Sequence, residues 1–232
     1  MNLGKAIRAA THPAYWPALA RVVVPTIEHA PALCHVEPAT VIDVGANKGQ
    51  FSSFARVRWP HARIIAFEPL PGPAARYRKV LGDRAKLFGC ALGAEDGRSD
   101  MHIASRDDSS SLLALGDEQK SLFHMDQVAT LSVEVRRLDR VLAGMVDPPA
   151  LLKIDVQGFE FEVLSGLGDL ASAVEWIYVE TSFVELYTGQ RLHDEVATLL
   201  AGLGYEQIIE HNVTMDGDRK VQADFLFKKL AA

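Results

Sequence analysis

The chain has little of what marks several large classes of protein. Only two cysteines, Cys34 and Cys90, occur in its 232 residues. That is too few for a disulfide framework, so a reducing cytoplasm is the expected compartment. Long apolar runs are missing: the most apolar early stretch, Tyr15 to Ile27, is broken by Pro17, Arg21 and Pro25. It also falls short of the ~20 residues that a transmembrane helix needs. Lys5 and Arg8 are followed by no unbroken apolar segment and no small-residue cleavage site, which argues against a signal peptide. Basic charge is not in excess either, with 24 Lys and Arg against 30 Asp and Glu and a formal charge of −6. Binding nucleic acid through phosphates needs clustered cations, so no nucleic-acid partner is expected. The eight histidines lack the paired spacing of a zinc site. His102, His124 and His193 could each reach a crevice, but surface positions are the simpler reading.

What is present is ordinary globular material. Hydrophobic residues make up 48% and charged residues 23%, values that exclude wholesale disorder. The length fits one large domain with a short appendage. Residues 1–38 read as a helical, proline-interrupted arm without independence, and 39–232 as the domain proper.

From Thr40 the pattern alternates. Thr40 to Val44 is a buried strand, Lys48 to Arg58 a helix with Phe51, Phe54 and Ala55 as its apolar stripe, and Arg63 to Phe67 a second strand. Ala74 to Leu81 is a helix and Lys86 to Leu92 a third strand. Such alternation with continuously apolar strands implies a parallel sheet covered on both faces, and right-handed crossovers make it doubly wound. In the middle, Asp100 to Ala104 and Ser132 to Arg136 alternate apolar and polar residues, which suits an inserted, half-exposed antiparallel hairpin. The Ser105–Thr130 connection between them is long enough to be functional, for instance as a lid.

Alternation then resumes with a strand at Leu151–Val156, a helix at Phe159–Leu167, a strand at Trp176–Glu180 and a helix at Leu192–Leu203. Strands at Tyr205–Glu210 and Ala223–Lys228 are joined through Asp216-Gly217, so the last pair is antiparallel. The expected architecture is α/β: a Rossmann-like, seven-stranded sheet of the plan shared by many methyl-transferring domains.

Ligands of such sheets sit beyond the carboxyl ends of the strands. There lies Asp43-Val44-Gly45-Ala46-Asn47-Lys48-Gly49. Gly45 permits a sharp turn and close approach to a ligand, and Gly49 opens a helix whose free N–H groups favour a carboxylate. The spacing does not match the glycine patterns that cradle pyrophosphate or triphosphate. A small zwitterion fits better, with Asp43 attracting its ammonium directly or through water. Glu68 ends the second strand, about 20 residues beyond the turn, where such folds place an acid for ribose hydroxyls. An amino-acid tail plus a ribose describes S-adenosylmethionine. The plainer alternative makes Asp43 and Glu68 caps and the glycines mere turn formers.

Val41 to Phe51 resembles the first motif of the FkbM-type methyltransferases, and Phe67-Glu68-Pro69 the second. Ala91-Leu92-Gly93, Ser109 to Leu112, Lys153 to Glu160 and Val179 to Phe183 match further motifs in order, so the similarity spans about residues 40–228. The resemblance implies a class I S-adenosylmethionine-dependent domain. Asp43, Gly45, Ala46, Asn47 and Gly49 would surround the methionine moiety, Glu68 would hold the ribose, and backbone around Cys90 and Ala91 would line the adenine. Two departures are Gly89, near which the family often carries Asn, and Gln157, where it often carries Glu.

Catalytic candidates lie on the next two strand tips. Lys153 and Asp155 are two apart and share a strand face. Asp155 is the better base, metal ligand or cofactor contact, with Lys153 its electrostatic partner. Glu180 ends the following strand. Two carboxylates there are able to share a proton or hold a divalent cation, although no third oxygen ligand is evident. The structural alternative is a buried Lys153–Asp155 lock with Glu160 capping the next helix.

The expected activity is O-methylation of a hydroxyl on a small molecule or glycan, such as a sugar or polyketide. Alternatives are a nicotinamide-dependent oxidoreductase and a non-catalytic nucleotide-binding partner protein. The apolar arm, with Trp16 and Val22-Val23-Val24, is suited to packing on a second copy.

Overall fold

A computed structural model describes residues 3–230. The arm forms α1 (Leu3–Ala10) and α2 (Trp16–Leu19). The first half of the domain follows as β1 (Thr40–Val44), α3 (Gln50–Arg58), β2 (Arg63–Phe67), α4 (Pro71–Leu81) and β3 (Lys86–Phe88). The insertion comprises β4 (Ala91–Leu92), β5 (Gly97–Ala104), α5 (Asp117–Phe123) and β6 (Gln127–Arg136). The second half runs α6 (Leu138–Val141), β7 (Ala150–Ile154), α7 (Glu160–Ser165), β8 (Val174–Ser182), α8 (His193–Gly202), β9 (Tyr205–Asp216) and β10 (Arg219–Lys229).

The main sheet has seven strands in the order β3-β2-β1-β7-β8-β10-β9. Its strands run parallel except β10, which is antiparallel to both β8 and β9. All five residues of β1 and of β7 are buried, as central strands covered on both faces should be. Alternation divides them between two cores. Ile42, Val44, Leu152, Ile154, Ile177 and Val179 face one. Val41, Leu151 and Tyr178 face the other, under the α3 residues Phe51, Phe54 and Ala55. Helix α3 ends with Arg56 and Arg58 in its last turn, where cations complement the helix dipole. The arm joins this second face through Ala32, Leu33 and Val36.

The structure corrects two details of the expected plan. The third strand does not continue from Lys86 to Leu92: β3 stops at Phe88, and after Gly89 the chain leaves the parallel sheet so that Ala91 and Leu92 pair with Val135 and Arg136 of β6. The insertion is therefore a three-stranded sheet, β4-β6-β5, rather than a hairpin alone. Local pattern could not reveal this, because Cys90 and Leu92 still pack into the main core while Ala91 faces the small one. The long connection also contains α5, a short helix hidden in a polar stretch.

Candidate active site

A cavity of about 600 Å³ opens at the carboxyl ends of β1, β2, β7 and β8, within the ~300–1,000 Å³ of small-molecule and cofactor sites. Its first wall is the turn after β1. Gly45 has φ +75°, and a Cβ there would lie 1.9 Å from the Asp155 carbonyl oxygen. Only glycine lets this turn pass so close to the tip of β7. Val44, Gly45, Ala46 and Asn47 line the cavity, and Asn47 is itself left-handed at φ +46°.

Glu68 lies on the same wall. Its two oxygens accept the N–H groups of Asn47 at 2.9 Å and Leu70 at 2.8 Å. Burial raises its pKa to about 7, against the lowering pull of those two N–H groups. Each oxygen keeps a lone pair for a further donor. Cys90, Ala91 and Leu92 continue the lining; burial pushes the Cys90 thiol up to about 11, which makes it apolar wall rather than nucleophile.

Two candidates stand behind this wall instead of on it. Asp43 is fully buried; its Oδ2 accepts the Ser52 hydroxyl at 2.6 Å and its Oδ1 lies 3.4 Å from Lys153 Nζ. The alternation of β1 turns this side chain under α3, so the carboxylate serves the cavity through Lys153. Gly49, at φ +91°, packs against Leu81 and Tyr77, and its role is to let the chain enter α3. Neither residue is among those lining the cavity.

Across from Glu68, the tips of β7 and β8 carry a polar cluster. Lys153 lies 3.6 Å from Asp155 and donates toward the Gly45 carbonyl at 3.4 Å. Burial works against its charge, but the carboxylates of Asp43 and Asp155 outweigh that and hold its pKa above the ordinary lysine value. The Gln157 side-chain nitrogen donates to Asp155 at 2.7 Å and to Glu180 at 3.3 Å. Glu180 also accepts from Gln222 at 2.9 Å. Burial, with the neighbouring charges of Asp155 and Asp224, raises Glu180 well above the usual carboxylate range. Among the described residues no group of three His, Cys, Asp or Glu side chains has metal-site geometry, and the Gln157 carboxamide sits as a donor where a bridging cation would have to lie.

Further hydrogen bonds tie this cluster to the insertion. The Tyr187 hydroxyl donates to Gln157 Oε1 at 2.8 Å and accepts from Gln119 of α5 at 3.0 Å. The Ser111 hydroxyl donates to the Gln157 carbonyl at 2.6 Å, so that serine holds the loop while Ser109 and Ser110 reach the cavity. Glu160 takes the structural role: its Oε1 accepts the N–H groups of Val156 at 3.0 Å and Gly158 at 3.1 Å.

The remaining wall comes from distant segments: Val22 to Val24, Thr26 and His29 of the arm, Arg106 and Asp108 of the insertion, and Gln222 of β10. The sequence marks the valines only as packing and Arg106 and Asp108 only as part of the Ser105–Thr130 connection; Thr26, His29 and Gln222 carry no local signal. His102, His124 and His193 lie away from the cavity lining. His29 had no local signal; only the docking of the arm brings it there.

A doubly wound sheet of this strand order, with a cavity at its strand tips, defines a Rossmann-like α/β domain. Residues 43–206 match the Methyltransferase FkbM domain. The chain belongs to that family and is an S-adenosylmethionine-dependent methyltransferase. It is 32% identical over 190 residues to 2-O-methyltransferase NoeI of Sinorhizobium fredii, covering 77% of this chain and 76% of that one. It is 29% identical over 205 residues to 31-O-demethyl-FK506 methyltransferase FkbM of Streptomyces tacrolimicus, covering 76% of each. Among solved structures, magnesium protoporphyrin IX methyltransferase of Synechocystis PCC 6803, with bound SAM, overlays at TM-score 0.48 and 11% identity over 99% of this chain and 85% of that one. That likeness is too distant to speak to activity. The nicotinamide alternative falls with the family assignment.

Proposed function

We propose that the protein transfers a methyl group to a hydroxyl of a small molecule or glycan. One observation carries the reading: a single cavity joins Gly45, Asn47 and Glu68 to Asp155, Gln157 and Glu180. The names of two relatives point the same way, since both specify methylation at oxygen.

The residues present fit the cofactor. The turn Gly45-Ala46-Asn47, drawn tight against the tip of β7, offers its backbone to the methionine moiety, Glu68 has oxygens for both ribose hydroxyls, and Cys90 and Ala91 offer an apolar wall to adenine. Once bound, S-adenosylmethionine supplies a methyl carbon already activated by a sulfonium. What the protein must add is alignment, exclusion of water and handling of one proton. Asp155, whose side chain is 39% exposed, flanks the acceptor hydroxyl and keeps that side of the cavity polar. Lys153, with Asp43 behind it, sets the field at that point, and Glu180 holds Gln157 and Gln222 in place. Arg106, Ser109 and Ser110 close the far side over the acceptor.

Isothermal calorimetry with S-adenosylmethionine and its demethylated product tests the cofactor half, and binding of both is the expected result. Mass spectrometry after incubation with glycans and small hydroxylated molecules tests the acceptor half through the gain of a methyl group lost on mild O-demethylation. A methyl group found only on nitrogen or carbon would overturn the reading.

A further inference from the structure

His29 is a cavity residue that the roles given above leave unused. It is among the residues lining the cavity, with its ring edge-on to Phe51 at 5.7 Å between centroids. The Nδ1 atom lies 3.0 Å from the Tyr178 hydroxyl and 3.3 Å from Oδ2 of Asp224. Tyr178 donates to the same Asp224 oxygen at 3.0 Å, and Asn212 donates to it at 2.7 Å. Asn212 Nδ2 is also 3.2 Å from Nδ1, but the carboxylate is its nearer and stronger acceptor. Asp224 is buried on β10. Burial opposes its charge, yet the hydrogen bond and charge of His29, with the bonds from Asn212 and Tyr178, hold its carboxyl below the ordinary range.

This arrangement fixes the ring. A phenol oxygen whose own hydrogen points to Asp224 is an acceptor for Nδ1–H, and the nearby carboxylate favours hydrogen at the same atom. The lone pair is then on Nε2, which has no hydrogen-bond partner among the described residues. A histidine held at one nitrogen by a buried acid, with the other nitrogen free in a cavity, is the arrangement of an activated general base. The carboxylates in the cavity suit that task less well. Both Glu180 oxygens already accept carboxamide donors, and the Asp155 oxygens face Gln157 and Lys153.

We propose that His29 is the base that takes the proton of the acceptor hydroxyl, with Tyr178 and Asp224 as positioning residues. The inference rests on the O-methylation reading above and assigns its proton. In the step, the acceptor O–H bond breaks and an N–H bond forms at Nε2. The oxygen keeps the electron pair with which it takes the methyl group, and the ring becomes an imidazolium beside the Asp224 carboxylate, to return its proton to solvent after turnover. The charged and titratable groups around the ring are Asp224 and Tyr178 from the sheet, Glu28 next to it in the arm, Lys5 paired with Glu28, and His211 bonded to the Glu28 carbonyl. Lys153 and Glu180 belong to the same cavity.

Two measurements test this. Isotope-edited NMR of the histidine rings, with the demethylated cofactor present, reads the tautomer of neutral His29 and needs no acceptor. Hydrogen on Nδ1 with Nε2 bare is expected; hydrogen on Nε2 overturns the proposal outright. Methyl transfer from radiolabelled S-adenosylmethionine to a panel of simple glycosides and phenols provides the kinetic arm. His29→Gln should lower kcat by roughly 10²–10⁴-fold and abolish the acidic limb of its pH profile, with calorimetric affinity for the demethylated product unchanged. Asp224→Asn should displace that limb rather than remove it. A purely structural pin between arm and sheet would alter stability and leave the limb intact, and a His29→Gln enzyme that kept wild-type kcat and limb would refute the assignment. Methyl groups found only on nitrogen or carbon of the wild-type products would instead strike at the underlying O-methylation reading.

Discussion

The two ends of the cavity are built in different ways. The end at Gly45, Glu68 and Ala91 is made from consecutive strand tips and the turns that follow them, within one stretch of chain. The opposite end is assembled from an arm residue such as His29, an insertion residue such as Arg106 and a late strand residue such as Gln222. Backbone geometry governs the first: φ +75° at Gly45 and a contact that forbids any Cβ. Side-chain networks govern the second, as in the path from Gln119 through Tyr187 and Gln157 to Asp155 and Glu180. An end made of backbone tolerates few substitutions, whereas an end made of side chains can be altered by single substitutions without unfolding the sheet.

The sharpest way to break the comparison is at the turn. Gly45→Ala places a methyl group 1.9 Å from a backbone oxygen at a strained φ. It should cost about 4–5 kcal/mol or more, read as a collapse of the thermal transition in circular dichroism together with loss of cofactor binding. Lys153→Met comes next. It leaves Asp43, fully buried, without its cation, and should cost about 3–5 kcal/mol in denaturant unfolding. Pairing it with Asp43→Asn should recover part of that loss, which a mere packing defect would not.

Gln157→Glu probes the side-chain end. It replaces the donor between Asp155 and Glu180 with a third carboxylate, and the expected result is Mn²⁺ binding detected by electron paramagnetic resonance. A variant that binds no cation would mean the two carboxylates cannot approach a shared ion. The smallest effect belongs to Thr26→Val. The Thr26 hydroxyl is buried without a hydrogen-bond partner among the described residues, so stability should change by no more than about 0.5 kcal/mol in thermal melts. Cofactor affinity should be unaltered, and KM for the acceptor should shift.

The same contrast explains what could be read from the sequence. Strands β1, β2, β7 and β8 carry their apolar runs and terminal acids locally, so the sheet, Glu68 and the tips bearing Asp155 and Glu180 were visible. Asp43 was visible as a residue but not as a direction: alternation places it toward α3 and Lys153, and only packing shows that a wall separates it from the cavity. The break after Phe88 leaves no mark in the sequence, because Cys90 and Leu92 are apolar whichever sheet receives them. Helix α5 lies in a polar segment with no apolar stripe. His29 is a single residue in an arm whose docking depends on contacts with Phe51, Phe54 and Asp224, far away in sequence.

The central claim is that the cofactor lies over the first two strand tips with its ribose on Glu68. Calorimetry of S-adenosylmethionine binding across pH tests it most directly. Glu68 is held near a pKa of about 7 by burial, and ribose hydroxyls donate to its ionised form, so binding must expel its proton. Affinity should therefore rise by up to about tenfold per pH unit below that value and level off above it. Glu68→Gln should bind ~10–150-fold more weakly at the plateau, as expected for losing a charged hydrogen bond, and show no such rise. Wild-type binding that ignores pH and survives Glu68→Gln unchanged would contradict the account.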